Sequence, residues 1–294
     1  MAKRKLRYID LFAGCGGLSL GLHNSGYWKG LFAVEKSPDA FATLKYNLIE
    51  KKKHFDWPKW LGEPTNHDIV QLLKEYEIQL KGLRGAIDLV AGGPPCQGFS
   101  MAGRRVESDQ RNNLVHSYLK FIELVQPKMI LFENVKGFKI GFKKKDDSRG
   151  RAYSEVVIEE LQNLGYSDAR AEILDFSEFG VPQRRQRCII VATRENLAGK
   201  FFEQIRERSE IFLNKLGLKQ KVDLKSAISD ILGNGRAEES PDSKNFKAGR
   251  YSFGRPTPYQ KLMRDGASGL PDSHRFANHS SRTCLLYTSP SPRD

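Results

Sequence analysis

Short apolar runs separated by longer amphipathic stretches set the frame of the chain. Leu6-Arg7-Tyr8-Ile9-Asp10-Leu11-Phe12, Leu31-Phe32-Ala33-Val34-Glu35 and Ile87-Asp88-Leu89-Val90-Ala91 read as buried strands. Pro127-Lys128-Met129-Ile130-Leu131-Phe132, Ala169-Arg170-Ala171-Glu172-Ile173-Leu174-Asp175 and Cys188-Ile189-Ile190-Val191-Ala192 continue the series. The segments from Leu18 onward, Ser37 to Lys53, Val70 to Gln79, Leu114 to Val125 and Tyr153 to Leu164 carry apolar residues at helical spacing. Ser37-Pro38 supplies an N-cap and a first-turn proline, and Gly165 a C-cap. Strands and helices alternating in this way predict an α/β fold, a Rossmann-like sheet with helices on both faces.

In such a sheet ligands collect at the carboxyl ends of the strands, so the residues there carry the chemistry. Gly92-Gly93-Pro94-Pro95-Cys96-Gln97-Gly98-Phe99-Ser100 follows the third run and places Cys96 just beyond that edge. Two prolines stiffen the backbone before the thiol, whereas Gly98 frees it afterwards. That suits a fixed nucleophile followed by a mobile flap; a small buried cysteine in a turn is the plainer alternative. The first run ends in Ala13-Gly14-Cys15-Gly16-Gly17 and opens a helix, a corner where a ligand can approach the backbone. Its glycines do not fit the G-x-G-x-x-G dinucleotide fingerprint, which shifts the expectation to an adenosyl ligand without a pyrophosphate.

Glu35 ends the second run and is placed to accept ribose hydroxyls, or to stand as a solvated carboxylate. Asp68 either receives an adenine amino group or caps the following helix. Glu133 lies at the same sheet edge as Cys96 and Glu35. Arg184, Arg185 and Arg187 crowd the approach to the last strand, and Arg104, Arg105 and Arg111 make the 101–113 segment a basic loop able to close over phosphates.

Composition adds a partner. Lys and Arg number 48 against 35 Asp and Glu, a net charge of +13 that suits a polyanion such as nucleic acid. The 4 cysteines (Cys15, Cys96, Cys188, Cys284) lack CxxC spacing, which argues against a zinc site and a disulfide scaffold and for a reducing compartment. The charged start leaves no room for a signal-peptide core, and no apolar stretch has the length of a membrane span.

Together these segments closely resemble the DNA (cytosine-5) methyltransferase family in its bacterial restriction-modification form. Phe12-Ala13-Gly14-Cys15-Gly16-Gly17 is similar to the family's first S-adenosylmethionine motif, and Glu35 and Asp68 match the acidic ends of the second and third. Gly93 to Ser100 resembles the catalytic loop, and Glu133-Asn134-Val135 and Gln183-Arg184-Arg185-Gln186-Arg187 the later active-site motifs.

The resemblance implies an S-adenosylmethionine-dependent sheet and methyl transfer to C5 of a cytosine flipped out of duplex DNA. Cys96 would add to C6, a protonated Glu133 would act near N3, and Arg185 and Arg187 would hold O2. The implied cofactor contacts are Phe12, Gly14, Cys15, Gly16, Gly17, Glu35, Asp68, Ile69, Pro94 and Leu114, with no metal. A monomer acting on double-stranded DNA in the bacterial cytoplasm is expected, with a cognate restriction endonuclease as the partner such systems can carry.

The catalytic domain is expected over residues 1–194, a partial target-recognition region over 195–284, and a Ser/Pro tail of non-native or disordered character over 285–294. The family's returning motifs after the recognition region are not visible, so a truncated chain with weak or no turnover is the expectation. Three other readings compete: an RNA cytosine-5 methyltransferase, a DNA-binding relic without activity, and a nicotinamide oxidoreductase disfavoured by the broken glycine fingerprint.

Overall fold

All six apolar runs pair into one sheet in the computed structural model, which describes residues 4–95, 112–140, 151–232, 237–252, 254–264, 267, 269–271 and 274–277. The strands are β1 (Leu6–Leu11), β2 (Trp28–Val34), β3 (Leu89–Gly92), β4 (Met129–Val135), β5 (Arg170–Asp175) and β6 (Gln186–Thr193), in the order β2-β1-β3-β4-β6-β5. β2, β1, β3 and β4 run parallel, and β6 is antiparallel to both β4 and β5.

Alternation along each strand divides the core into two layers. Ile9, Leu11, Val90, Ile130 and Phe132 point to one face, where they meet α3 (Ile69–Glu75), α5 (Asn112–Val125) and α6 (Tyr153–Asn163) through Leu72, Tyr118, Phe121, Val157 and Leu161. Tyr8, Leu89, Ala91, Met129 and Leu131 point to the other, against α1 (Gly17–Ser25) and α2 (Pro38–Leu44). Each fully buried Leu or Phe in these layers stabilises the fold by about 1.5–3 kcal/mol. Because α1 and α5 leave neighbouring strands β1 and β3 toward opposite faces, a crevice opens between those strand ends.

Several elements differ from the sequence expectation. The stretch from Ser37 is α-helical only to Leu44; a π-helical turn, Lys45–Lys51, completes it and sets Leu48 under the glycine turn. The segment after Asp68 breaks at Tyr76, giving α3 and a short α4 (Glu77–Lys81). β2 starts at Trp28 rather than Leu31, whereas β4 ends with Glu133-Asn134-Val135 as the sequence suggested. Glu and Asn are poor strand formers, but β6 pairs Glu133 with Ile189 and Asn134 with Cys188, and that ladder overrides propensity.

The chain divides into two compact units, residues 1–175 with 186–207 and residues 176–185 with 208–294, the division falling inside α7 (Ala198–Lys215). The second unit holds α8 (Leu224–Ile228), the β7–β8 hairpin (Ala237–Glu239, Lys247–Gly249) and α9 (Pro258–Arg264). A buried ion pair, Arg264 to Asp230 at 2.8 Å, and Gln260 bonded to Thr257 and Ser229 tie α9 to α8 and the turn after it. No helix among the described residues is long and apolar enough to cross a membrane.

Candidate active site

Three backbone segments meet at the carboxyl rim of the sheet, where Leu11, Gly92 and Phe132 stand side by side on β1, β3 and β4. Beyond Leu11 the chain must bend toward β2, because the Ala13 N–H donates to the Val34 carbonyl at 3.0 Å. Phe12 takes a positive φ of 58° to make that bend, a strained state that recurs where a site over-determines the backbone. Gly16 then caps α1 at φ 89°, and a Cβ there would lie 2.8 Å from Leu48. The turn therefore packs directly on the π-helical segment, while Gly14 and Gly17 face open space. Cys15 is exposed.

Glu35 pins this turn from β2. One carboxylate oxygen accepts from the Gly14 N–H at 2.9 Å and the other from the Ser37 N–H at 2.7 Å. Asp68 is likewise occupied, Oδ1 capping α3 through the Val70 N–H at 2.8 Å and Oδ2 facing Lys36 Nζ at 2.9 Å. The ammonium holds the Asp68 carboxyl below the usual range, and the carboxylate raises the Lys36 pKa in return. Lys36, Asn66, His67, Asp68, Gln71, Leu72 and Glu75 line a cleft of about 310 Å³. Ile69 buries its side chain in the core, and Leu114 is half-buried in the first turn of α5.

At β4 the Glu133 Oε1 accepts from Arg187 Nε at 2.8 Å. The register explains the meeting, since Arg187 pairs with Val135 and its chain direction returns along Glu133. The other oxygen, Oε2, lies against Gly93, where a Cβ would come within 2.8 Å of it. Asn134, 3% exposed, donates through Nδ2 to the Pro94 carbonyl at 3.1 Å. The acid and the start of the cysteine loop are thus fixed to each other through adjacent residues of one strand. Cys96 itself and the 97–111 loop lie outside the described residues. Arg185 belongs to the second unit, is exposed, and accepts through its carbonyl from the Phe176 N–H.

Three polar features escaped the sequence reading. Asp10, 1% exposed within β1, accepts from Ser19 Oγ at 2.5 Å, and burial pushes its carboxyl up to about 7. A carboxylate inside an apolar run was the available signal. Asn134 was visible only as part of a motif, and its bond to Pro94 had no sequence mark. Tyr8, His54 and His23 form a chain, with Tyr8 Oη to His54 Nε2 at 3.0 Å and His54 Nδ1 to His23 Nδ1 at 3.0 Å. Burial, the His23 ring and nearby lysines push His54 down to about 4. Cys188, buried in β6, has its thiol pushed up to about 12 and is no nucleophile. Among the described residues no three His, Cys, Asp or Glu side chains cluster as metal ligands.

Comparison with known proteins converges on one family. Residues 6–266 match the family described as C-5 cytosine-specific DNA methylase. The Type II methyltransferase M.XorII of Xanthomonas oryzae pv. oryzae is 32% identical over 261 residues, covering 87% of this chain and 53% of that protein. M.DdeI of Desulfomicrobium norvegicum is 30% identical over 266 residues, covering 90% and 56%. The chain thus spans about half the length of these curated relatives. A crystal structure from E. coli, described as a prophage-encoded DNA modification methyltransferase, superposes with a TM-score of 0.56 at 23% identity, over 87% of this chain and 63% of its own, and supports the fold.

Proposed function

Because the chain belongs to the C-5 cytosine-specific DNA methylase family, we propose that it methylates C5 of a cytosine flipped out of a specific duplex DNA sequence, with S-adenosylmethionine as donor. The observation that carries this reading is the Arg187 to Glu133 contact at 2.8 Å, packed on Gly93 and linked through Asn134 to Pro94. Such a pair beside a proline-stiffened cysteine loop suits acid-assisted addition of a thiolate to a ring.

In this mechanism the Cys96 thiolate adds to C6, because C5 of cytosine is too weak a nucleophile unaided. Glu133, carrying a proton at N3, offsets the charge that the addition places on the ring. Arg187 holds the O2 oxygen as charge develops there. When bound, S-adenosylmethionine supplies an electrophilic methyl group. A base, for which a water molecule suffices, takes the C5 proton, and Cys96 leaves as the ring regains aromaticity. Flipping the base costs roughly a few kcal/mol of stacking.

The residues at the rim fit an adenosyl donor. Gly14 and Gly17 have no heavy atom within 4 Å of a would-be Cβ, leaving room over the turn, and the first N–H groups of α1 lack a side-chain cap. Phe12, Gly14, Cys15, Gly16, Gly17, Glu35, Asp68, Ile69, Pro94 and Leu114 would hold it. Glu35 already spends one lone pair of each oxygen on the backbone, and each retains another for a ribose hydroxyl.

Residues 195–284 would read the target sequence. In support, a cleft of about 910 Å³ in the second unit is lined by Lys215, Arg255 and Lys261 with Leu216, Pro256, Pro258 and Leu262, and there is no carboxylate among the described residues that line it. The test is covalent trapping on a duplex containing 5-fluorocytosine, with S-adenosylmethionine present. A denaturation-resistant adduct that disappears in Cys96→Ser is expected. A chain that binds the duplex and the donor yet forms no adduct would overturn the mechanism, and preferential methylation of transfer RNA would move the substrate to RNA.

A further inference from the structure

Lys36 is an unusual neighbour for a carboxylate assigned to a purine. Asp68 has two oxygens, and Oδ1 is committed to the Val70 N–H that starts α3. Oδ2 is the oxygen turned toward Lys36, whose Nζ stands 2.9 Å from it. The backbone of Lys36 is fixed, since its carbonyl accepts from Asn66 Nδ2 at 3.0 Å, but its side chain is 80% exposed. The head group can therefore move without unpacking anything. Both groups line the same cleft with His67, whose Nε2 is buried and without a hydrogen-bond partner among the described residues. A buried ring nitrogen of that kind calls for a polar ligand atom or a water.

We propose that Lys36 sets the purine selectivity of this cleft, by offering a donor beside the Asp68 acceptor and so blunting the preference for a 6-amino over a 6-oxo purine. The inference rests on the reading of Asp68 as a purine contact. A 6-amino group donates to Oδ2 and must share it with, or displace, the ammonium. A 6-oxo group accepts; an isolated carboxylate repels it, whereas Lys36 can bond it. Lys36 is a specificity-determining residue and takes no part in the methyl transfer step.

The test titrates the full 294-residue chain and its Lys36→Met variant calorimetrically with S-adenosylhomocysteine and S-inosylhomocysteine. Exposed ion pairs are weak, so each arm moves by roughly two- to fivefold. Lys36→Met is expected to bind the adenosyl ligand more tightly and the inosyl ligand more weakly, widening the ratio of the two affinities by roughly 4- to 25-fold. Lys36→Arg, which restores the donor, is expected to return the ratio toward that of the parent chain. An unchanged ratio in Lys36→Met, or movement of both affinities in the same direction, overturns the proposal while leaving the donor site intact. Binding of neither ligand by the parent chain would instead sink the cofactor reading itself, and this inference with it.

Discussion

In the proposed mechanism the chemistry turns on Glu133, and three neighbours fix its place. Arg187 engages one oxygen, Gly93 leaves room for the other, and Asn134 next along β4 holds Pro94. Replacing Glu133 by Gln keeps the shape and removes the acid that the proposed mechanism requires. Methyl transfer by Glu133→Gln, measured in single turnover with labelled donor, is expected to fall by about 10²- to 10⁴-fold while S-adenosylhomocysteine binding persists. An undiminished rate would remove Glu133 from the mechanism. Gly93→Ala tests the packing rather than the acid. A methyl group 2.8 Å from Oε2 must displace the carboxylate, and displacements of about 1 Å cost on the order of 10²-fold in rate. Gly93→Ala turning over like the parent chain would show that the close approach is unimportant.

At the scale of elements, α3 and the glycine turn each rest on a single residue. Asp68 caps α3, so Asp68→Ala is expected to lose about 1 kcal/mol of stability in urea unfolding, whereas Asp68→Asn retains the cap. If Asp68 also meets the donor, Asp68→Asn will weaken S-adenosylhomocysteine binding with little change in stability; equal binding would leave it only a cap. The turn is less forgiving. Gly16 combines φ 89° with a Cβ position 2.8 Å from Leu48, so Gly16→Ala meets backbone strain and overpacking at once. A loss of about 2 kcal/mol or more is expected from the two effects, read from the urea midpoint.

For the molecule as a whole, two buried groups in the first unit tilt stability against pH in opposite directions. His54 has its pKa lowered from 6.5 to about 4, so the folded chain prefers it neutral. Its contribution is complete above pH 6.5 and is lost as the pH falls through 4, a difference of about 3 kcal/mol. Asp10 has its pKa raised from 3.8 to about 7, so its contribution is present below 3.8 and is lost as the pH rises through 7, by about 4 kcal/mol. Between about pH 4 and 6.5 the two slopes nearly cancel, so the pair leaves stability almost level there, and above that only the Asp10 loss continues, up to about pH 7. Asp10→Asn leaves the His54 slope uncancelled, so in urea titrations its stability is expected to rise from pH 5 to about 6.5 and then level off, where the parent chain stays nearly flat and then falls slightly. A variant whose stability stays as flat as the parent's between pH 5 and 6.5 would mean that Asp10 does not titrate as stated.

What the sequence by itself determined was the alternation of strands and helices, the glycine turn, and the placing of Glu35 and Glu133 at the carboxyl side of the sheet. Both faces of this sheet are covered, so its strands appear as continuous apolar runs that stand out from the amphipathic helices. Tertiary structure alone decided which groups meet. The order β2-β1-β3-β4-β6-β5 and the reversed direction of β6 bring Arg187 to Glu133, and neither is encoded in local pattern because pairing joins distant segments. The same applies to Lys36 on Asp68, Ser19 on Asp10 and the Tyr8-His54-His23 chain, all made across elements. Local spacing also could not show that the helix after Asp68 would break at Tyr76. Periodicity reports which face of an element is buried; the partner that buries it is chosen by register and packing over the whole chain.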